Sequence, residues 1–147
     1  MKRFKRVAYA DLNARQKENY NFQKASSILA EYGFVTLRLS DDWNGADFIA
    51  LHRDGSSLKV QLKARLTFDR KYLGSDIWIC FPARGEPSVY LYPHDSFLKQ
   101  IDSSRHFTKT RSWAVGGTYH FSNPAAKIIE ALEPYRLTLE SAAPASN

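Results

Sequence analysis

Apolar positions in this chain change period several times, and each change marks an element. Over residues 13–32 they recur at helical spacing: at about 100° per residue, Phe22, Ala25, Ile28, Leu29 and Tyr32 share one stripe. Asn13 can cap that helix and Gly33 can end it. Residues 34–39 alternate instead, with Phe34, Thr36 and Arg38 set against Val35, Leu37 and Leu39, which predicts a strand. Residues 40–45 are acidic and turn-forming and predict a loop; in it Trp43 either stacks on a base or packs into the core, and packing is favoured. Residues 48–51 are apolar on both faces, Asp54-Gly55 signals a turn, and the chain returns with Leu58, Val60, Leu62 and Ala64 on one side and Lys59, Gln61 and Lys63 on the other.

Beyond this hairpin, residues 66–76 predict a connection in which Arg65, Arg70 and Lys71 interleave with Phe68 and Tyr72, either as a nucleic-acid grip or as a solvated loop. Residues 77–81 and 88–92 predict an antiparallel strand pair. Pro93 ends it, and Asp95 can cap a short helix through Ile101. Residues 102–120 are polar and irregular, and Tyr119 and Phe121 fit a short edge strand. Asn123-Pro124 is a helix start, with Ala125, Ile128, Ile129 and Leu132 as the buried stripe and Pro134 as the stop. Residues 141–147 read as a disordered tail. These boundaries predict a basic arm over 1–11, one domain over 12–140 and the tail.

The period of two in the returning strand puts Gln61 and Lys63 together on its polar face. Asp47, at the start of the partner strand, can approach both. An acid, an amide oxygen and a lysine on adjacent strands suit a hard divalent cation beside an activated water. Glu18 falls inside the apolar stripe of the first helix, one turn before Phe22, where an acid needs a partner. A first-turn acid complementing the helix dipole is the plainer account of it. Asn21 shares that face and can hydrogen-bond within a site. Asp41 or Asp42 would bind metal through water or cap the turn, the turn being favoured, and Asp69 or Asp76 would add a further carboxylate.

Asp47, followed after a hairpin by Gln61-Leu62-Lys63, resembles the signature of the PD-(D/E)xK nuclease superfamily in its Gln-x-Lys form. The resemblance covers residues 12–93 and implies a restriction-endonuclease-like α/β (α+β) fold: a central mixed sheet of about four or five strands flanked by helices. It implies that Asp47, Gln61, the backbone carbonyl of Leu62 and Glu18 hold Mg²⁺ or Mn²⁺, and that Lys63 serves the attacking water. Asp47, Gln61, Lys63 and Glu18 are then the catalytic candidates. Gln61 departs from the usual acid of this pattern.

Charge strengthens one part of this picture. Lys and Arg number 21 against 15 Asp and Glu, a net charge of +6, which favours a polyanionic partner, nucleic acid first. Lys2, Arg3, Lys5 and Arg6 form one basic cluster around Phe4, Arg65, Arg70 and Lys71 a second, and Arg105, Lys109 and Arg111 a third. A frayed, solvated terminus is the bland account of the first. The single cysteine, Cys80, excludes an internal disulfide and a cysteine zinc cluster, and its apolar surroundings predict a buried thiol. His52, His94, His106 and His120 lack metal-ligand spacing, and no HExxH, GxSxG or P-loop motif occurs. The absence of a long apolar run or signal core predicts a soluble cytoplasmic protein without a membrane partner.

The expected function is metal-dependent endonucleolytic hydrolysis of DNA, double-stranded rather than single-stranded, with a homodimer expected by analogy. Two other classes stay open. A catalytically inactive nucleic-acid-binding or adaptor module would bind DNA without needing metal. A protein-interaction module would do neither.

Overall fold

The first helix forms where its caps direct it. In the computed structural model, which describes residues 1–83 and 87–139, α1 spans Ala14–Glu31. Asn13 Oδ1 accepts from Gln16 N–H and Gln16 Oε1 accepts from Asn13 N–H, both at 2.9 Å, a reciprocal capping box. Gly33 follows the helix with φ of 86°. The tail at 141–147 lies outside the described residues.

Strand β1 runs Phe34–Trp43 and β2 Ala46–His52. The loop expected over 40–45 is therefore mostly strand. Asn44 and Gly45 have φ of 52° and 85°, the positive pair that a two-residue hairpin turn matching strand twist requires. The turn signal was this Asn-Gly dipeptide. Trp43, at the turn, is 54% exposed rather than packed in the core. Strand β3, Ser57–Leu62, returns from Asp54-Gly55 as expected and pairs Phe48 with Val60. Ser56 donates its hydroxyl and its N–H to Asp54 Oδ1 at 2.6 and 2.8 Å, which lowers that carboxyl to about 2.

The next segment corrects the sequence reading. Residues Leu66–Asp69 form a buried strand, β4, and Arg70–Tyr72 a 3₁₀ turn. Phe68 and Tyr72 are core residues at 0% and 2% exposure, so neither ring is available to stack on a base. Strands β5, Ile77–Pro82, and β6, Ser88–Pro93, form the expected antiparallel pair. Helix α2 spans His94–Arg105 without a side-chain cap; Asp95 instead accepts Gly74 N–H at 2.9 Å. Within the stretch read as irregular lie a 3₁₀ turn, Phe107–Lys109, and α3, Arg111–Gly116, with Trp113 buried. Strand β7, Thr118–Phe121, pairs with β4. Helix α4, Ala126–Leu132, has Ala125 rather than Asn123 at its cap position, and β8, Arg136–Thr138, closes the described chain.

Six strands make the main sheet, in the order β1-β2-β3-β5-β6-β8, with β4 and β7 as a separate ribbon. This is a mixed α+β fold with a central sheet flanked by helices, one or two strands larger than expected. β8 escaped prediction because three residues show no periodicity. Only β3 and β5 run parallel, since the chain leaves the sheet through β4 and re-enters beside β3.

The central strands are covered on both faces. On one, Ala25, Ile28 and Leu29 of α1 pack on Phe48, Ala50, Val60 and Cys80. On the other, Ile79, Tyr92, Phe97 and Leu132 surround Phe68, which stacks on Phe107 at 5.0 Å. Ile79 and Cys80 go to opposite sides, as the strand period demands. Burial pushes the Cys80 thiol up to about 12. On the edge strand β1, Val35 and Leu37 remain exposed, as does Leu51 beside Val35 on β2. Among the described residues no helix is long and apolar enough to cross a membrane.

A Cβ on Gly45 would lie 3.3 Å from the Tyr72 ring, while one on Gly55, also at positive φ, would meet nothing within 4 Å. Gly55→Ala is therefore expected to cost about 1 kcal/mol of strain and Gly45→Ala roughly twice that. Urea denaturation of both variants checks this; equal losses would remove the role given to the Tyr72 contact.

Candidate active site

The cleft that holds the candidate residues arises where the β2–β3 ladder ends. The register Phe48↔Val60, continued one step, would set Asp47 across from Gln61. The ladder ends there instead. Asp47 Oδ2 accepts Leu62 N–H at 2.9 Å, and Lys63 N–H donates to Cys80 C=O of β5 at 2.8 Å. β3 thus loses its β2 partner after Val60 while its pairing with β5, in place from Lys59, runs on through Leu62, and the fork where β2 and β3 part opens a cleft of about 420 Å³. Glu18, Asp47, Gln61, Leu62 and Lys63 all line it, with Phe22, Arg38 and Asp41. Leu39, Ser40 and Asp41 lie in the irregular part of β1 between Arg38 and Trp43, where the pairing register shifts.

Glu18 differs from the expectation in one respect. It is exposed at the cleft rim, not buried. From Phe22 on, α1 packs on the sheet, with the Phe22 ring centre 5.2 Å from that of Phe48; the turns before it overhang the fork, so their inner face borders a cleft instead of a core. Asn21 does not join the site, since its Nδ2 donates to the Tyr9 hydroxyl at 3.0 Å. Asp76 is exposed at a turn with φ of 55°, and the Asp42 side chain lies outside the described part of the structure.

Lys63 is half-buried, with its ammonium 5.6 Å from the centre of the Tyr72 ring. Burial, first, and the neighbouring Lys71 hold its pKa below the usual lysine value, against the pull of Asp69 and Asp47. Asp69 is itself fixed: Oδ1 accepts Lys71 N–H and Oδ2 accepts Thr118 Oγ1–H, each at 3.0 Å. Asp69 N–H donates to Nε2 of His94 at 3.0 Å, so the His94 proton sits on Nδ1 and faces Asp95 Oδ1 at 2.8 Å. His94 is wholly buried.

Two features escaped the sequence reading. Arg38 enters the cleft with its guanidinium on Asn19 Oδ1 and 5.2 Å from the Phe22 ring centre. Its only signal was a cation in a strand alternation. The pairing of Asp69 with His94 joins residues far apart in the chain and had no local signal.

The basic residues divide. His120 feels both Arg65 and Lys63, which, after burial, lower its pKa; Arg65 donates to Ser122 Oγ at 3.2 Å. Lys71 neighbours Lys63, and Arg70 donates to Ala114 C=O at 3.3 Å. Lys2, Arg3, Lys5 and Arg6 are exposed ahead of the 3₁₀ turn Tyr9–Asp11. Arg105, Lys109 and Arg111, at the end of α2 and the start of α3, are exposed and do not line the cleft.

As a donor set, the Asp47 and Glu18 carboxylates with the Gln61 and Leu62 carbonyls are all oxygen, which fits Mg²⁺ or Mn²⁺ and not a thiophilic metal. Among the described residues no three His, Cys, Asp or Glu side chains gather as a metal cluster, so a cation held here would need the Gln61 amide and the Leu62 backbone carbonyl as well as the carboxylates.

No protein-family model matches the chain, and no curated protein matches it. Among solved structures, a bacterial homing endonuclease, I-Ssp6803I, superposes with a TM-score of 0.46 at 17% identity, over 77% of this chain and 78% of that one. So loose an overlap leaves the reading of the cleft to its own residues.

Burial holds the His94 pKa below its usual value against the pull of Asp95 and Asp69. The unfolded chain then takes up a proton near pH 6.5 that the folded chain refuses, so stability is complete above that pH and falls as the pH drops below it. His94→Leu is expected to cost about 2 kcal/mol at pH 7, because Asp69 N–H loses its acceptor. It should also flatten the fall in melting temperature between pH 7 and 5, which thermal melts at both pH values would show.

Proposed function

We propose that this chain is a metal-dependent endonuclease acting on DNA. The observation that supports this most directly is the convergence of Glu18, Asp47, Gln61 and Lys63, residues from a helix and two strands, on one cleft at the strand fork. Arg65 and Lys71 lie close enough to act electrostatically on the Lys63 and His120 surroundings. They would draw a phosphate backbone toward the cleft.

When bound, Mg²⁺ or Mn²⁺ would supply Lewis acidity toward a phosphoryl oxygen. Asp47 would hold the ion by full charge, Gln61 and Leu62 by carbonyl dipoles, and Glu18 from the rim. Asp47 is oriented for this by Leu62 N–H. Lys63 has two uses, both consistent with its lowered pKa: as a cation it offsets charge on the phosphate, and as an amine it takes a proton from water. Arg38 would orient phosphate from the opposite wall. Replacing an acid by Gln61 weakens cation binding. Two unit charges at 4 Å interact by about 4 kcal/mol at an effective dielectric of 20, and each 1.4 kcal/mol is roughly tenfold in affinity.

The thin acid set also favours a second reading, a nucleic-acid-binding module on the same scaffold that has no need of metal. Incubation of supercoiled plasmid with Mg²⁺ or Mn²⁺ separates the two. Wild type is expected to nick only with metal, and Asp47→Ala and Lys63→Ala to lose at least 100-fold in rate, the usual scale of an acid–base contribution. An inactive wild type, or variants that cut equally well, would end the nuclease reading; salt-sensitive plasmid binding alone would leave the module.

A further inference from the structure

A second cleft, of about 430 Å³, lies against the first, with Leu62 bordering both. Its floor is aliphatic: Ala25 and Ile28 of α1, Leu62 at the end of β3, Ala64 just after it, and Val89 of β6. Its rim is aromatic and cationic. Tyr9 and Tyr20 pack with ring centres 5.2 Å apart at 54°. Lys24 Nζ lies 5.0 Å from the Tyr20 ring centre, and Lys17 Nζ lies 5.4 Å from that of Tyr9. Asn21 Nδ2 holds the Tyr9 hydroxyl at 3.0 Å, which pins the 3₁₀ turn Tyr9–Asp11 to the helix. Both rings stay open to solvent, at 43% and 38% exposure. The arm carrying Lys2, Arg3, Lys5 and Arg6 enters directly ahead of Tyr9.

We infer that this cleft takes an unpaired nucleotide of a single-stranded segment of the nucleic acid whose phosphodiester occupies the neighbouring cleft. The volume falls within the usual range for sites that enclose small ligands. A base offers two flat apolar faces to the tyrosines and the aliphatic floor, and stacking of this kind holds any base regardless of sequence. Lys17, Lys24 and the arm supply positive charge along the route of the phosphates on either side, which a peptide of ordinary composition would not complement. A duplex keeps its bases stacked inside, so only an unpaired strand can use the site. The inference therefore deepens the nuclease reading, on which its placement of the scissile bond rests. It proposes a substrate with a single-stranded part, where the sequence led to the expectation of double-stranded DNA.

Binding can be tested apart from cleavage. Anisotropy of a fluorescein-labelled 20-nucleotide deoxythymidine strand and of a 20-base-pair duplex is measured with the full chain in EDTA. Wild type is expected to bind the single strand at least tenfold more tightly. Tyr20→Ala should lose about tenfold for the strand and less than twofold for the duplex. Tyr20→Phe, which keeps the ring, should bind like wild type, and Lys24→Gln should lose affinity with a shallower salt dependence. A strand carrying 2-aminopurine should show a stacking-dependent fluorescence change on wild type that Tyr20→Ala abolishes. Equal affinity for strand and duplex, or a Tyr20→Ala variant that melts like wild type yet binds the strand undiminished, would overturn the inference. Absence of plasmid nicking by the wild type, with its strand preference and the Tyr20→Ala loss intact, would overturn the catalytic reading while sparing the base site.

Discussion

One hydrogen bond sits at the point on which the cleft depends: the Asp47 carboxylate holding Leu62 N–H at the end of the β2–β3 ladder. That N–H would otherwise lose its partner where the β2–β3 ladder stops, and a backbone donor withdrawn from water without an acceptor costs about as much as a lost hydrogen bond. The side chain thus ends one ladder while the bonding to β5, which begins at Lys59, continues through Lys63 N–H. The fork and its cleft open at the end of the β2–β3 ladder. Asp47 therefore has a structural duty as well as its proposed ligand role, so Asp47→Ala must be compared with wild type by melting before its inactivity is assigned to chemistry.

The buried side of the site has a matching constraint. Lys63 keeps its ammonium half out of water beside Tyr72, near an Asp69 that Thr118, Lys71 and His94 hold in place. The ribbon of β4 and β7 exists to bring that carboxylate there, because Asp69 and Thr118 face each other across its ladder. Behind it, Phe68 stacked on Phe107 ties the ribbon to the second core. The polar site rests on an aromatic one, and changes in the aromatic cluster should be felt at Lys63.

The first helix serves two clefts because its first turns run beyond the sheet. Phe22, Ala25, Ile28 and Leu29 anchor it, while the turns before Phe22 project past the fork. That overhang puts Glu18 at one cleft and Tyr20 at the other, since residues two apart on a helix face different directions. An acid for a cation and a ring for a base then come from a single turn.

Local order was legible in the sequence wherever periodicity was strong. The helix with its Asn13 cap, the β2–β3 hairpin, the β5–β6 pair and the grouping of Asp47, Gln61 and Lys63 follow from repeats of 3.6 and two residues with their turn signals. Tertiary structure decided what periodicity does not carry. It made a buried strand of residues read as a grip or a solvated connection, because β4 is satisfied by β7, about fifty positions away, and by Tyr92 and His94. It left Glu18 exposed, because a helical stripe does not say how much of the helix has a sheet beneath it. It brought Arg38 to the cleft, joined Asp69 to His94 and set Tyr9 on Tyr20, pairings made in space between elements whose own patterns point only to a core.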